Sequence, residues 1–218
     1  MSNIVMSDIL SYTIVFLIFI NILLLMNIKN AIRKPYVYLL IMLIIAFICE
    51  ILGHLLNRNG INNQPVFNGY ILFEVFFLTL FARNFVNGKS NFTISILLVV
   101  AIFYWIYLSI LNGLLFFHIT SFIVNCVVIT IAYLIVLIRI TSKKIDGLLK
   151  DPILWICISC IIYFGCDIPL FCLMPYFSKI KNTVLKNNIY NLNNILAIIR
   201  YLLILYSIWC LKRQSRKQ

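Results

Sequence analysis

Five side chains carry most of the chemistry open to this chain: Glu50, His54, Glu74, Asp167 and Arg200. All but His54 lie well inside long apolar runs. There an ionised group costs a few kcal/mol or more in hydrocarbon, and so turns toward a partner or a cavity. Along helices rising about 1.5 Å per residue, Glu50, Glu74 and Asp167 fall about 10 Å below one face of a membrane, with Arg200 somewhat deeper. Three acids and one guanidinium at similar depth predict a charge cluster. Arg200 would pair with one carboxylate and leave another to carry a proton or hold a small cation. The structural alternative is an ion pair with protonated carboxyls hydrogen-bonded between helices, which needs no ligand.

Neighbouring residues extend the cluster. His54 follows Glu50 by four positions, which puts both on one helical face, where the acid would orient the imidazole; a solvated interfacial histidine is the competing case. In Gly165-Cys166-Asp167-Ile168-Pro169 the proline has no N–H for the carbonyl of Gly165, so a kink beside the Asp167 carboxylate is expected. His118, Asn125, Asn112 and Asn68 make the outer half richer in polar groups than the inner half. That asymmetry suits either a cavity open to the exterior or scattered interhelical hydrogen bonds. The stretch 175–190, with Phe177, Ile180, Val184 and Leu185 among lysines, is expected as a short interfacial helix over such an opening.

The elements that position these groups follow from composition. A hydrophobic fraction of 63%, 11% charged residues and a mean hydropathy of +1.04 make lipid the solvent. Seven apolar runs, 9–28, 36–56, 67–86, 93–111, 115–137, 153–174 and 191–211, are each long enough as helices to cross about 30 Å of hydrocarbon. Membrane strands would alternate with period two, whereas residues 14–26 are apolar nearly throughout. The expected fold is therefore an all-α bundle of seven transmembrane helices in one domain spanning 1–218. Thirteen of the 18 Lys and Arg residues lie at the ends of odd-numbered helices or in the tail, against Arg58, Lys179, Lys181 and Lys186 on the other side. Positive loops stay in the cytoplasm, so the N-terminus is expected outside and the C-terminus inside. Tyr36, Tyr38, Trp155 and Trp209 fit an inner aromatic belt, and Tyr70, Tyr176 and Tyr190 an outer one.

Several function classes lose support. The net charge of +12 sits where topology and anionic lipid call for it, so nucleic acid is not an expected partner. Residues 1–8 lack a basic leader and no small-residue cleavage site follows, so the first helix is expected to be retained. The seven cysteines fall within spans and read as small hydrophobes; Cys157 and Cys160 form a C-x-x-C without a second loop pair. Two histidines in different helices supply no zinc set, and no G-x-S-x-G elbow, Walker loop or dinucleotide fingerprint occurs, so no metal and no cofactor are expected. Arg200, in place of a mid-helix lysine, forms no retinal Schiff base. No inverted repeat is evident.

Asp151-Pro152-Ile153-Leu154-Trp155, Tyr163-Phe164-Gly165, Pro169-Leu170-Phe171 and Asn191-Leu192-Asn193-Asn194, with Phe73-Glu74-Val75-Phe76-Phe77 in the third helix, resemble a group of small uncharacterised bacterial seven-helix membrane proteins. The resemblance implies the architecture and a bacterial inner membrane, and no activity. With an outer polar cluster and no soluble output domain, the expected role is a small-ligand sensor or accessory subunit that addresses a membrane or cytoplasmic protein partner through its basic inner loops. The alternatives are a proton- or cation-coupled permease using Glu50, Glu74 and Asp167, and a lipid-modifying enzyme using Glu50 and His54.

Overall fold

A computed structural model describes residues 2–28, 35–143, 147–177 and 183–215, with side chains except at 2–5, 143, 175, 177 and 183–190. Seven long helices follow one another: α1 Ser2–Met26, α2 Tyr36–Arg58, α3 Gln64–Arg83, α4 Lys89–Asn112, α5 Ile119–Lys143, α6 Pro152–Phe177 and α7 Thr183–Ser215. A 3-10 turn at Leu148–Lys150 leads into α6. Each helix contains a span apolar and long enough to cross a membrane, so the chain is a multi-pass integral membrane protein. An odd number of crossings places the two ends of the described chain on opposite faces. The face where α1 begins is the amino end of the bundle, and the face where α7 finishes is the carboxyl end.

Six helices close a ring. α1 packs on α2 and α7, α2 on α3, α3 on α5, α5 on α6, and α6 on α7; α4 lies against the outside of α3 and α5. Between helices in lipid there is little hydrophobic driving force, so close packing of small residues and interhelical hydrogen bonds matter more. Ala46, Ala82, Ala132, Cys157 and Ser159 are accordingly buried at these contacts. Gly53 of α2 shows the tolerance most sharply: a Cβ there would meet the Phe67 ring of α3 at 2.7 Å. Asn21 Nδ2 donates to the Tyr201 carbonyl (3.1 Å), Tyr133 Oη to that of Leu78 (3.1 Å) and Ser207 Oγ to that of Pro152 (2.7 Å). These bonds join α1 to α7, α5 to α3 and α7 to α6.

The sequence locates all seven helices but misplaces several ends. α1 begins at Ser2 rather than at 9, because polar residues without Gly or Pro continue a helix beyond its apolar run. α3 covers Gln64–Arg83 rather than 67–86, with Pro65 in its first turn and residues 84–86 in a turn. α5 starts at Ile119 rather than at 115. Gly113, at φ 66°, ends α4, and the backbone from 114 to 118 is held by side chains of other elements. The separate interfacial helix expected over 175–190 is not formed as such. Pro175 belongs to α6, and 183–190 are the first turns of α7, which has no Gly or Pro to interrupt it; 178–182 lie outside the described residues. Pro169 does not break α6, which is assigned as a single helix from Pro152 to Phe177.

Candidate functional site

Glu74 sits in the middle of α3 with its carboxylate turned into the ring. Arg200, the only arginine well inside a span, reaches it from α7: Nη1 donates to Oε1 over 2.7 Å, with the two side chains 2% and 4% exposed. Tyr70 lies one turn before Glu74 on the same face, and its hydroxyl donates to the same oxygen at 2.5 Å. The guanidinium also lies over the rings of Phe164 (4.7 Å), Tyr163 (4.8 Å) and Tyr201 (5.4 Å), which stabilise a desolvated cation through their electron-rich faces. Nη2 rests near the sulfur of Met42 at 3.9 Å, whereas Nε has no hydrogen-bond partner among the described residues.

Asp167 of α6 is fully buried, and neither carboxyl oxygen has a partner within hydrogen-bond distance among the described residues, although the Tyr163 hydroxyl one turn earlier on α6 lies near enough to interact with it. It lies close enough to both Glu74 and Arg200 for their charges to interact with it. Glu50, half-buried on α2, is within the same reach of Glu74. Cys126 of α5 is fully buried in the same ring of helices. The carbonyl oxygen of the neighbouring Asn125 side chain is also unpartnered, while its Nδ2 donates to the Ile71 carbonyl at 3.3 Å. Three carboxyl groups less one guanidinium give the cluster a formal charge of −2 if all are ionised. In low dielectric such an excess calls for protons or a bound cation.

Of the five residues singled out by sequence, Glu74 and Arg200 are joined directly, Asp167 and Glu50 gather around them, and His54 does not. Its ring stacks on Tyr12 of α1 with centroids 5.8 Å apart, and no hydrogen bond links it to Glu50. A separate groove of about 530 Å³ at the amino end holds His54 with Asp8, Tyr12, Asn57 and Arg58. Tyr70 is corrected from an outer-belt anchor to a partner of Glu74. Its spacing of four from Glu74 was visible in the sequence, as was that of His54 from Glu50. Tyr163 stands four residues before Asp167 in the same way, whereas Tyr201 carried no such signal, because which aromatic of a crowded helix faces the interior depends on helix rotation.

The other polar residues of the amino half do different work. Asn68 is a buried residue of the first turns of α3, and its Nδ2 donates to the carbonyls of Leu114 (3.0 Å) and Phe116 (2.7 Å). Its Oδ1 accepts from the His118 backbone N–H (3.0 Å), and its carbonyl accepts from the Trp105 indole (2.9 Å). Gln64 Oε1 accepts from the N–H of Phe117 (3.0 Å), Asn62 Nδ2 donates to Leu115 (2.8 Å), and His118 Nε2 lies 2.7 Å from the Gly113 carbonyl. Together they fasten the α4–α5 loop. Cys157 and Cys160 are both free and completely buried.

No family model matches the chain, and no curated protein or solved structure does either.

Proposed function

We propose that this protein binds a small positively charged or hydrogen-bond-donating ligand at Asp167, beside the Glu74–Arg200 pair, and acts as a sensor or accessory membrane subunit. The observation that carries this is the Asp167 carboxylate: wholly buried, with both oxygens unpartnered, in a cluster with more acids than bases. A buried acid without partners is costly to keep unless something supplies the missing donors. Alkylammonium ions and small cations have the required chemistry. The pattern of Lys and Arg puts the amino end outside and the basic carboxyl end in the cytoplasm, and the resemblance in the sequence favours a bacterial inner membrane. Loops at the carboxyl end then offer the surface for a protein partner.

Melting the purified protein against a panel of primary amines, quaternary amines and inorganic cations, each beside a neutral isostere, tests this. Charged members should raise the melting temperature of wild type and leave Asp167→Asn unmoved. Equal response of the two proteins, or of charged and neutral compounds, overturns it. Coupled transport is the second reading, favoured by Glu50 and Asp167 both lying within reach of Glu74. Vesicles showing cation or proton flux that Asp167→Asn abolishes would decide for transport. The absence of a hydrogen bond between Glu50 and His54 leaves the lipid-modifying reading without geometric support.

A further inference from the structure

At the carboxyl end, far from the Glu74–Arg200 pair, a cavity of about 670 Å³ opens between the Leu148–Lys150 turn and the last turns of α7. Lys150 and Arg213 supply its charge, and Tyr206 and Trp209 much of its wall. Its parts are held in place. Gln214 Nε2 donates to the Lys150 carbonyl (3.1 Å), and the Trp155 indole to that of Leu149 (2.9 Å). Trp155 packs edge-on to Tyr206 at 4.7 Å, and the Arg213 guanidinium lies 3.8 Å above the Trp209 ring.

Among the described residues neither cation is neutralised, as no carboxylate there forms a salt bridge with Lys150 or Arg213. The nearest acid in sequence, Asp151, uses Oδ1 to accept the backbone N–H of Ile153 at the start of α6 (2.9 Å). One face of α7 runs Leu202, Tyr206, Trp209, Arg213, at spacings of four, three and four, so the chemistry passes from apolar through aromatic to cationic over about 16 Å. Leu202, Tyr206 and Trp209 are 47%, 41% and 43% exposed, on the part of the helix that lies in the membrane. This order follows an anionic phospholipid from acyl chain to phosphate. Aromatic rings prefer the headgroup level, and juxtamembrane cations attract acidic lipid there.

We infer that this cavity is a binding site for an anionic phospholipid, with the phosphate held by Lys150 and Arg213, the glycerol region against Trp209 and one acyl chain along Tyr206 and Leu202. A soluble anion would have no use for the apolar and aromatic part of the face. The site is independent of the ligand proposed at Asp167.

The full chain reconstituted in phosphatidylcholine vesicles tests it through quenching of tryptophan fluorescence by brominated lipids. Of the three tryptophans, Trp209 lines the cavity and Trp155 stands behind it, against Leu149 and Tyr206 of its wall. Brominated phosphatidylglycerol at low mole fraction should quench at least twofold more than brominated phosphatidylcholine at the same fraction. Lys150→Gln with Arg213→Gln should abolish that preference, Arg213→Lys should retain most of it, and Arg139→Gln, a cation at the same end outside the cavity, should leave it intact. Millimolar inorganic phosphate should not displace the brominated lipid. Equal quenching by the two lipids in wild type overturns the inference, as does a preference that falls as much in Arg139→Gln as in the double variant. Displacement by free phosphate overturns it in favour of a soluble anion. Should the double variant fail to reconstitute, Arg213→Gln alone is measured, and a preference undiminished there overturns the inference equally.

Discussion

Gln64 and Asn68 near the start of α3 and Tyr70 and Glu74 just beyond them belong to two polar clusters on one helix, built on opposite principles. In the first, the amides of Asn68 and Gln64 meet backbone groups of the 113–118 loop, and both the Nδ2 and the Oδ1 of Asn68 are used. In the second, about 9 Å further along the helix axis, Glu74 and Arg200 satisfy one another while Asp167, equally buried, is left without a donor. Amides that meet backbone groups in this way fix a loop, and the group left over among the described residues of this cluster is the ring nitrogen Nδ1 of His118 rather than a carboxyl. A cluster with surplus carboxyls is incomplete as it stands, and the incompleteness is what marks it as a place for a ligand.

Substitutions that separate the two clusters should differ in kind as well as size. The largest effect is expected from Arg200→Met, which strands Glu74 in the bundle. Breaking one side of a buried pair costs about 3–5 kcal/mol. Denaturation of the detergent-solubilised protein should show it, and Arg200→Met combined with Glu74→Leu should recover most of the loss. Next, Asn68→Ala leaves two loop carbonyls and one N–H without partners, for about 1–3 kcal/mol. Hydrogen exchange should accelerate across 114–118 and stay unchanged around Arg200. Tyr70→Phe removes one donor to Glu74 and should cost about 1 kcal/mol, because Arg200 still holds the carboxylate. The smallest change is expected at Asp167→Asn. A carboxyl with no close hydrogen-bond partner beyond the neighbouring Tyr163 hydroxyl should shift stability by under about 1 kcal/mol. The shift should be stabilising, since burying a neutral amide is cheaper than burying an unpaired acid. Pronounced destabilisation by Asp167→Asn would show that the carboxyl already has a structural partner and erase the contrast between the clusters.

Hydropathy alone carries the seven helices, since lipid demands runs of about 20 apolar residues and leaves little freedom over their number. Their ends were less legible. The onset of α5 is fixed by Asn68 and Gln64 reaching across from α3, a long-range contact invisible to a local window. The convergence of Glu74, Asp167 and Arg200 could be anticipated from depth, whereas which acid takes the guanidinium depends on the rotation of α3, α6 and α7. Those rotations are not encoded in helices whose apolar residues run all round. His54 illustrates the opposite outcome: helical spacing correctly places it on the face of Glu50, but the stacking partner Tyr12 comes from α1 and draws it to another groove. Of the residues anticipated as cavity-lining groups or scattered hydrogen bonds, Asn68 follows the second course. His118 both bonds to the Gly113 carbonyl and, with Asn112, lines a groove of about 410 Å³ at the amino end.

Infrared difference spectroscopy in the carboxyl stretching region, recorded on adding the cation that most raises the melting temperature, addresses the Asp167 site most directly. The account predicts a ligand-induced change in a carboxyl band that is present in wild type and in Asn68→Ala and missing in Asp167→Asn. A band that responds identically in Asp167→Asn, or carboxyl groups that do not respond to the bound cation in wild type, would contradict it.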